Sequence, residues 1–346
     1  MKRKLHMFVL GAAVLLMSGC AQGASSLSVG SHEPVVLSAW IASWDEEKGL
    51  KEYGDIKNRL VGVSCFMAYY DQEDKLFIPE ETRKIAALVK EEKQEQRYIS
   101  FTNDWKNEQG KVINKDTELL RRLFADDKHK EQTIAEMLQV AKELQCTGIE
   151  LDYESFFKDS DLLQKYLSFT YKLSSACIKE GLSLRIVLEP GMPMDVGLCR
   201  GPEYVVMFYN LHGRHNGPGP KADSEFIAKT IKKMEAIPGK KAAAFATGGC
   251  LWEDYGLLGL QHGKIRFLDE DEAVELAKAH QVTPERDEAS YAMHFTYKEA
   301  GHDYELWYAD NKTLQAWIKA AADGGIKRVS LWRLGGNYRI KEFHAN

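Results

Sequence analysis

No CxxC pair occurs among the six cysteines of this 346-residue chain. Zinc sites and thioredoxin-like redox centres are commonly signalled by such pairs, so neither class is indicated. Five thiols would remain after removal of a leader, and an odd number cannot all pair: Cys65, Cys146, Cys177, Cys199 and Cys250. We expect most of them to be small buried hydrophobic residues, while one unassigned disulfide stays open.

Positive charge is also scarce. The formal net charge is −5, and it becomes −8 without the three basic residues near the start, Lys2, Arg3 and Lys4. A chain this acidic has no basic surface that would bind nucleic acid and no basic segment that would bind anionic lipid. Its 44% hydrophobic and 28% charged residues are typical of a soluble globular protein, so we predict a folded chain. Because of its negative charge, we predict no nucleic-acid partner.

A long hydrophobic run is missing as well. The apolar stretch 8–17 is shorter than the roughly 20 residues that span a bilayer. It follows basic residues and ends in Met17-Ser18-Gly19-Cys20, which resembles a bacterial lipobox. We interpret residues 1–19 as a lipoprotein signal peptide, Cys20 as the lipidated residue and residues 20–33 as a flexible tether. This predicts an exported, membrane-anchored bacterial lipoprotein of the cell envelope; the alternative is an ordinary signal peptide with a chance cysteine.

A Gly-rich phosphate loop is absent after the early strands, which disfavours a doubly wound open sheet. Short β-rich runs instead alternate with amphipathic stretches. The predicted strands are residues 35–40, 61–68, 97–102, 148–153, 182–188, 204–209, 241–246 and 328–332. The predicted helices are residues 81–92, 130–144, 161–179, 223–236 and 312–322. Eight strands alternating with helices predict an α/β fold, a closed (β/α)8 TIM barrel over residues 34–340.

The connection between the seventh and eighth strands, residues 251–310, is long enough to carry its own structure. It contains a helical pattern at 272–279 and strand-like runs at 291–297 and 304–308, joined by an Ala300-Gly301-His302 turn. We interpret it as a small α+β insertion that forms one wall of a substrate groove. An extended loop with no role in binding is the alternative.

The most informative residues are 148–154, Gly-Ile-Glu-Leu-Asp-Tyr-Glu. Side chains two apart on a strand share a face, so Glu150, Asp152 and Glu154 point the same way, into the barrel. Three carboxylates this close cannot all ionise easily, so at least one proton is retained near neutral pH, as general acid catalysis requires. An edge strand with its charged face in water is the alternative.

Residues 147–154 resemble the D-G-x-D-x-D-x-E signature of glycoside hydrolase family 18, the chitinase-like enzymes. Glu154 matches the catalytic acid and Asp152 the aspartate beside it. Glu150 matches the middle aspartate with one more carbon, and Thr147 replaces the first.

Two further motifs follow in the family's order. Met207-Phe208-Tyr209-Asn210 is similar to the M-x-Y-D sequence of strand six, with Asn210 in place of Asp. Residues 329–336 resemble the last strand, whose tryptophan, here Trp332, lies under the sugar. The resemblance covers roughly residues 35–336. Residues 295–336 look particularly like the branch that contains spore-cortex peptidoglycan glucosaminidases.

The resemblance implies hydrolysis assisted by the sugar's own 2-acetamido group, with no metal and no cofactor. Glu154, Asp152 and Tyr209 are then the catalytic residues. The expected substrate-binding residues, which include two aromatic residues at the ends of strands one and two, are Glu150, Asn210, Trp332, Met207, Trp40 and Tyr69. His212 and His215 are predicted to belong to a loop that lines the groove rather than to a metal site.

The predicted function is cleavage of β-linked N-acetylglucosamine glycans, either peptidoglycan or chitin-like oligomers, by a monomer that meets the membrane through Cys20. An endo-β-N-acetylglucosaminidase acting on N-glycans would use the same chemistry. A non-catalytic glycan-binding lipoprotein on the same barrel is the alternative of a different class, although such lectins usually lose the acid at the position of Glu154.

Overall fold

A computed structural model describes residues 34–254, 263–337 and 339–345. Its strands are β1 (Val36–Ala42), β2 (Leu60–Tyr70), β3 (Leu76–Phe77), β4 (Gln96–Lys106), β5 (Val112–Ile113), β6 (Gly148–Asp152), β7 (Ser183–Leu188), β8 (Glu203–Met207), β9 (Lys240–Ala246), β10 (Gly248–Glu253), β11 (Lys264–Leu268), β12 (Glu285–Arg286), β13 (Met293–Glu299), β14 (His302–Ala309) and β15 (Arg328–Leu334). Its α-helices are α1 (Glu46–Ile56), α2 (Glu80–Glu91), α3 (Thr117–Leu123), α4 (Asp127–Glu143), α5 (Ser160–Lys179), α6 (Ser224–Met234), α7 (Glu270–Ala279) and α8 (Asn311–Asp323).

Eight of these strands close into a parallel barrel. The order runs β1-β15-β9-β8-β7-β6-β4-β2, and β2 pairs with β1 to complete the ring. The last strand closes beside the first in register, with Ser38 opposite Ser330 and their hydroxyl oxygens 2.6 Å apart. The predicted TIM barrel is confirmed, and each of the eight predicted strands overlaps one barrel strand. The connection at residues 189–202 is one departure from the repeating pattern, because it holds no helix.

The helices begin where the sequence places aspartate. Six of them have an aspartate N-cap whose carboxylate accepts a backbone N–H of the first turn: Asp116, Asp126, Asp159, Asp223, Asp269 and Asp310. Such a cap satisfies one of the amide groups that a helix start leaves unpaired. The helix boundaries that orient the loops above the barrel are therefore fixed locally.

The apolar core has two layers. The outer layer lies between strands and helices, and it contains Ile149 and Leu151 of β6. The inner layer fills the barrel with side chains of the opposite strand faces: Trp40, Phe66, Met67, Val187, Val205, Met207, Tyr209, Ala242, Ala244 and Ala246. The three alanines all come from β9, so this strand contributes little volume and leaves room for large side chains of its neighbours.

The insertion is a five-stranded antiparallel sheet, in the order β11-β10-β14-β13-β12, packed against α7. It holds the predicted helix and hairpin, together with β10, β11 and β12, which the sequence pattern does not reveal. β10 follows β9 after a single residue, Thr247, and begins with two glycines. Gly248 has a φ of +62°, and a Cβ on Gly249 would lie 2.0 Å from the Trp307 carbonyl oxygen, so neither position accommodates a side chain without rearrangement.

Three predictions about the start of the chain lie outside the described residues: the signal peptide 1–19, the lipidated Cys20 and the tether 20–33. Within the described ranges, no helix combines the length and the hydropathy needed to cross a bilayer. The five cysteines in the described part of the chain are free thiols.

Candidate active site

A cavity of about 770 Å³ opens at the carboxyl ends of the barrel strands. Asp152, Glu154 and Tyr209 line it together with Trp332. The insertion supplies one side through the start of β10, the end of β11 and the start of α7. Active sites of (β/α)8 barrels lie at this end of the barrel, so the cavity is the candidate active site.

The acidic strand β6 places its carboxylates as the alternation of side chains predicts. Asp152 is 7% exposed, and its Oδ1 atom has no hydrogen-bond partner among the described residues. Burial, followed by the charges of Glu154 and Glu150, raises the pKa of the Asp152 carboxyl well above its ordinary value. A buried carboxyl oxygen without a partner is costly unless a ligand satisfies it or the group holds a proton.

Glu154 lies just beyond the end of β6, where Asn103 of β4 fixes its backbone. The side-chain oxygen Oδ1 of Asn103 accepts the backbone N–H of Glu154 at 2.9 Å, and Nδ2 of Asn103 donates to the backbone carbonyl oxygen of Glu154 at 3.1 Å. Both halves of the Asn103 side chain are therefore used to position the acid.

The Glu154 side chain forms an ion pair with Lys115, which comes from the loop after β5. The Lys115 backbone N–H donates to Asp104 Oδ1 at 2.8 Å, which anchors the loop. Burial raises the pKa of the Glu154 carboxyl above its ordinary value, while Lys115 opposes this rise and Glu189 and Asp104 add to it. Glu154 is thus a buried acid whose proton affinity is restrained by one cation.

Tyr209 and Asn210 follow the end of β8 beside these acids. Tyr209 is 8% exposed, and burial raises the pKa of its phenol, with further contributions from the charges of Asp152 and Glu154. Its hydroxyl therefore keeps its proton over the physiological range and is available as a donor. Asn210 is exposed and has a φ of 71°, a left-handed conformation that asparagine tolerates better than most residues. Met207 also lines the cavity, so three of the four motif residues reach it, while Phe208 is buried in the outer core layer.

Aromatic rings form the floor. Trp332 packs edge-on against Phe66 with ring centroids 4.6 Å apart, and Trp44 lies 5.7 Å from Phe66. All three line the cavity, and Trp44 is 58% exposed. Flat apolar rings beside acids suit the apolar faces of sugar rings.

Glu150, Trp40 and Tyr69 are not among the residues that line the cavity, so their role as direct substrate contacts stays a prediction. Glu150 has no exposed surface; it accepts hydrogen bonds from Trp40 Nε1, from Ser64 Oγ at 3.0 Å and from Ser100 Oγ at 2.6 Å. Alternation along a strand gives the face of a side chain but not its depth, and Glu150 lies one layer below Asp152.

Trp40 and Tyr69 each pack against a neighbouring aromatic ring. Trp40 is 2% exposed and packs edge-on against Trp332, with ring centroids 5.7 Å apart. Tyr69 packs against Phe77 at 5.1 Å. Trp40 therefore supports the floor of the cavity from below instead of forming it.

No family model matches the chain. The chain is 23% identical over 242 residues to the uncharacterized glycosylase YvbX of Bacillus subtilis (strain 168), a match that covers 65% of this chain and 67% of YvbX. A chitinase from Chromobacterium violaceum ATCC 12472 superposes with a TM-score of 0.74 at 15% identity, over 89% of this chain and 96% of that one. The Bacillus cereus spore cortex-lytic enzyme SleL superposes with a TM-score of 0.76 at 20% identity, over 90% of this chain and 75% of that one.

The chain has the chitinase-like fold. The resemblance stated from the motifs is therefore confirmed at the level of the fold, and the acidic strand is the fourth strand of this chitinase-like barrel.

Four residues in or beneath the candidate site escape the sequence patterns: Asn103, Lys115, Trp44 and Arg185. Lys115 and Trp44 lie outside the long barrel strands, where no periodicity orients a side chain. Arg185 is a charged residue inside the buried strand β7, and this mismatch is the one signal that the sequence offers. It lies 3.3 Å from Glu150 Oε2 and donates to Ser330 Oγ at 2.7 Å, so it neutralises the acid below Asp152.

Metal-type ligands occur away from the cavity. Glu253, Asp254 and His302 of the insertion each offer one atom within 4.8 Å of the others. His302 Nδ1 lies 2.5 Å from Asp254 Oδ2, so these side chains already satisfy one another, and none of them lines the cavity. His212 Nδ1 donates to the Gly217 carbonyl oxygen at 2.8 Å and so holds its own loop together.

Proposed function

We propose that this protein is a glycoside hydrolase that cleaves β-linked N-acetylglucosamine polymers by substrate-assisted catalysis with retention. The observation that carries the proposal is the group formed by Asp152, Glu154 and Tyr209 at the carboxyl end of the barrel. Asp152 Oδ1 is buried with no hydrogen-bond partner among the residues that the structure describes, and an acetamido N–H is a donor that would satisfy it. The likeness of the chain to a glycosylase, a chitinase and a spore cortex-lytic enzyme supports glycan chemistry.

The proposed reaction has two steps. In the first, the carbonyl oxygen of the sugar's 2-acetamido group attacks the anomeric carbon while the Glu154 carboxyl gives its proton to the leaving oxygen, and the glycosidic bond breaks. The Asp152 carboxylate accepts a hydrogen bond from the N–H of the oxazolinium ring and so stabilises its positive charge. The Tyr209 hydroxyl orients the acetamido oxygen. In the second, the Glu154 carboxylate takes a proton from water, whose oxygen attacks the anomeric carbon and reopens the ring.

The environment of Glu154 fits both of its roles. Burial favours the protonated form that the first step needs, and Lys115 favours the ionised form that accepts a proton in the second. The aromatic floor of Trp332, Phe66 and Trp44 holds the sugar ring. Glu150 contributes indirectly, since its charge raises the pKa of Asp152 from below.

Peptidoglycan or chitin-like strands are the proposed substrates, met at the cell envelope by a lipoprotein anchored through Cys20. An N-glycan is the second candidate substrate for the same chemistry. A binding protein without activity is disfavoured by the presence of Glu154 together with Asn103, which positions its backbone through two hydrogen bonds.

Substrate assistance is tested with two glycans of equal length that differ in the 2-substituent. We expect release of reducing ends from chitotetraose and none from its fully de-N-acetylated form, because the amine cannot form the oxazolinium ring. A thiazoline analogue of that ring is expected to inhibit competitively. Equal hydrolysis of the acetylated and deacetylated tetramers would contradict the proposed route.

Replacing Lys115 is expected to move the pH dependence of catalysis. Because Lys115 lowers the pKa of Glu154, its removal raises that pKa, and the protonated acid persists to higher pH. Lys115→Met should therefore shift the alkaline limb of kcat/KM upward by about 1 pH unit or more, the size of effect that a nearby opposite charge has on a carboxyl. The measurement is a pH–rate profile on chitotetraose.

The groups that face Glu154 besides Lys115 are Asp152, Glu189, Asp104 and Tyr209, and none of them changes in this variant. Lys115→Arg keeps the charge and should restore the wild-type limb. Lys106→Met removes a lysine whose ammonium lies over Phe77 instead, and it serves as the matched control. An alkaline limb that stays in place in Lys115→Met would refute the role of the ion pair.

A further inference from the structure

Two cations flank one exposed aromatic ring on the insertion side of the cavity. Phe267 of β11 is 48% exposed, Lys221 Nζ lies 4.9 Å from its ring centroid and Arg214 Cζ lies 5.3 Å from it. Lys221 and Phe267 line the same cavity as Glu154. We call Arg214, Lys221 and Phe267 the basic wall.

No carboxylate in the described part of the chain pairs with the positive charges of the basic wall. Neither Arg214 nor Lys221 forms an ion pair within the described part of the chain, whereas two other cations of the cavity do: Lys115 with Glu154, and Arg333 with Asp45.

The nearby acids of the insertion are already engaged. Asp269 lies 2.8 Å from Lys48, and Glu272 pairs with Arg266. Lys221 also contacts the buried Cys250 thiol, whose pKa burial raises and Lys221 and Arg214 lower. The surplus charge on this wall is therefore local, in a chain whose net charge is negative.

We propose that the basic wall binds a carboxylate carried by the glycan, so that the enzyme prefers N-acetylglucosamine strands with acidic substituents over neutral ones. The inference rests on the proposed function and narrows its substrate class. A guanidinium and an ammonium form charge-assisted hydrogen bonds with a carboxylate, and Phe267 offers an apolar face for the sugar that bears it. The carboxylate is either part of an acidic substituent on the sugar itself or part of a peptide attached to the strand.

Binding separates the basic wall from catalysis. In the Glu154→Gln background, dissociation constants are measured for chitohexaose, for strands of the same length with free sugar-borne carboxylates, and for peptide-bearing strands. We expect the change Arg214→Gln with Lys221→Met to weaken binding of at least one acidic strand about tenfold, and to weaken chitohexaose binding far less. Which acidic strand loses affinity identifies the source of the carboxylate.

Salt provides a second readout that a merely structural role would not move. Binding of the acidic strand should weaken as NaCl rises in the parent protein, and this dependence should become shallower in the double variant. Lys221→Arg should keep the preference for the acidic strand. Lys240→Met removes an exposed lysine at the amino end of β9, the opposite rim of the barrel, and it should leave the preference in place.

Equal weakening of neutral and acidic strands in the double variant would overturn the proposal, as would an acidic-strand affinity that does not change. The proposed hydrolysis fails separately. The wild-type protein could release no reducing ends from any strand and still bind acidic strands more tightly, with that preference lost in the double variant. This result would support the role of the basic wall in binding and contradict the proposed hydrolysis.

Discussion

Glu154→Gln should lower kcat on chitotetraose by about 10³-fold, because an amide neither gives the proton that the leaving oxygen needs nor takes one from water. The amide has the size of the carboxyl, and the hydrogen bonds between the Asn103 side chain and the backbone of residue 154 do not change. The glycan should therefore still bind. Reducing-end release gives the rate, and titration of the variant with chitotetraose gives the affinity.

A surface glutamate provides the matched control for this substitution. Glu136 lies on α4 and pairs with Lys75 at 2.7 Å, so Glu136→Gln makes the same chemical change away from the cavity and should retain wild-type kcat. A Glu154→Gln protein that keeps more than a tenth of the wild-type rate would remove Glu154 from the proposed mechanism. A wild type that binds chitotetraose without releasing reducing ends would favour the lectin.

Arg185→Met should destabilise the fold by about 3–5 kcal/mol, because it leaves a buried acid without its cation. Arg185 is 1% exposed and lies 3.3 Å from Glu150 Oε2, and Glu150 itself has no exposed surface. Arg185 also lies over the rings of Trp40 and Tyr98, at 5.4 and 5.1 Å, so its loss removes packing as well as charge. Urea unfolding gives the free energy.

Two further variants separate charge from packing. Adding Glu150→Gln to Arg185→Met should recover part of the loss, since the uncompensated charge disappears. Arg83→Met breaks a surface pair with Glu143 and should cost only about 0–1 kcal/mol. If Arg185→Met and Arg83→Met unfold at the same urea concentration, the buried pair does not stabilise the barrel.

The barrel and its reactive strand could be predicted because both depend on periodicity. Eight β-rich runs separated by amphipathic stretches predict the ring, and alternation along β6 puts Asp152 on the inner face. β10, β11 and β12 of the insertion were not predicted, because strands of two to six residues are too short for an alternating pattern to distinguish them from a loop.

The cavity wall resisted prediction for a different reason. Lys115 contacts Glu154, and Arg214 contacts Phe267, because segments that are distant in the sequence converge at the carboxyl end of the barrel. No pattern within either segment encodes such a meeting. Depth is equally hidden: Glu150 and Trp40 face inward as predicted, yet they lie below the cavity, where Arg185 and the serines of neighbouring strands hold Glu150.

In the ion pair of Lys115 with Glu154, the catalytic carboxyl and the cation that lowers its pKa come from different parts of the chain. Asp152 lies on the barrel strand β6 and Glu154 follows directly after it, whereas Lys115 belongs to a loop 39 residues earlier in the chain. A lineage could therefore retune the acidity at which such a protein works by exchanging one loop residue, and keep its reactive strand intact while its habitat changes.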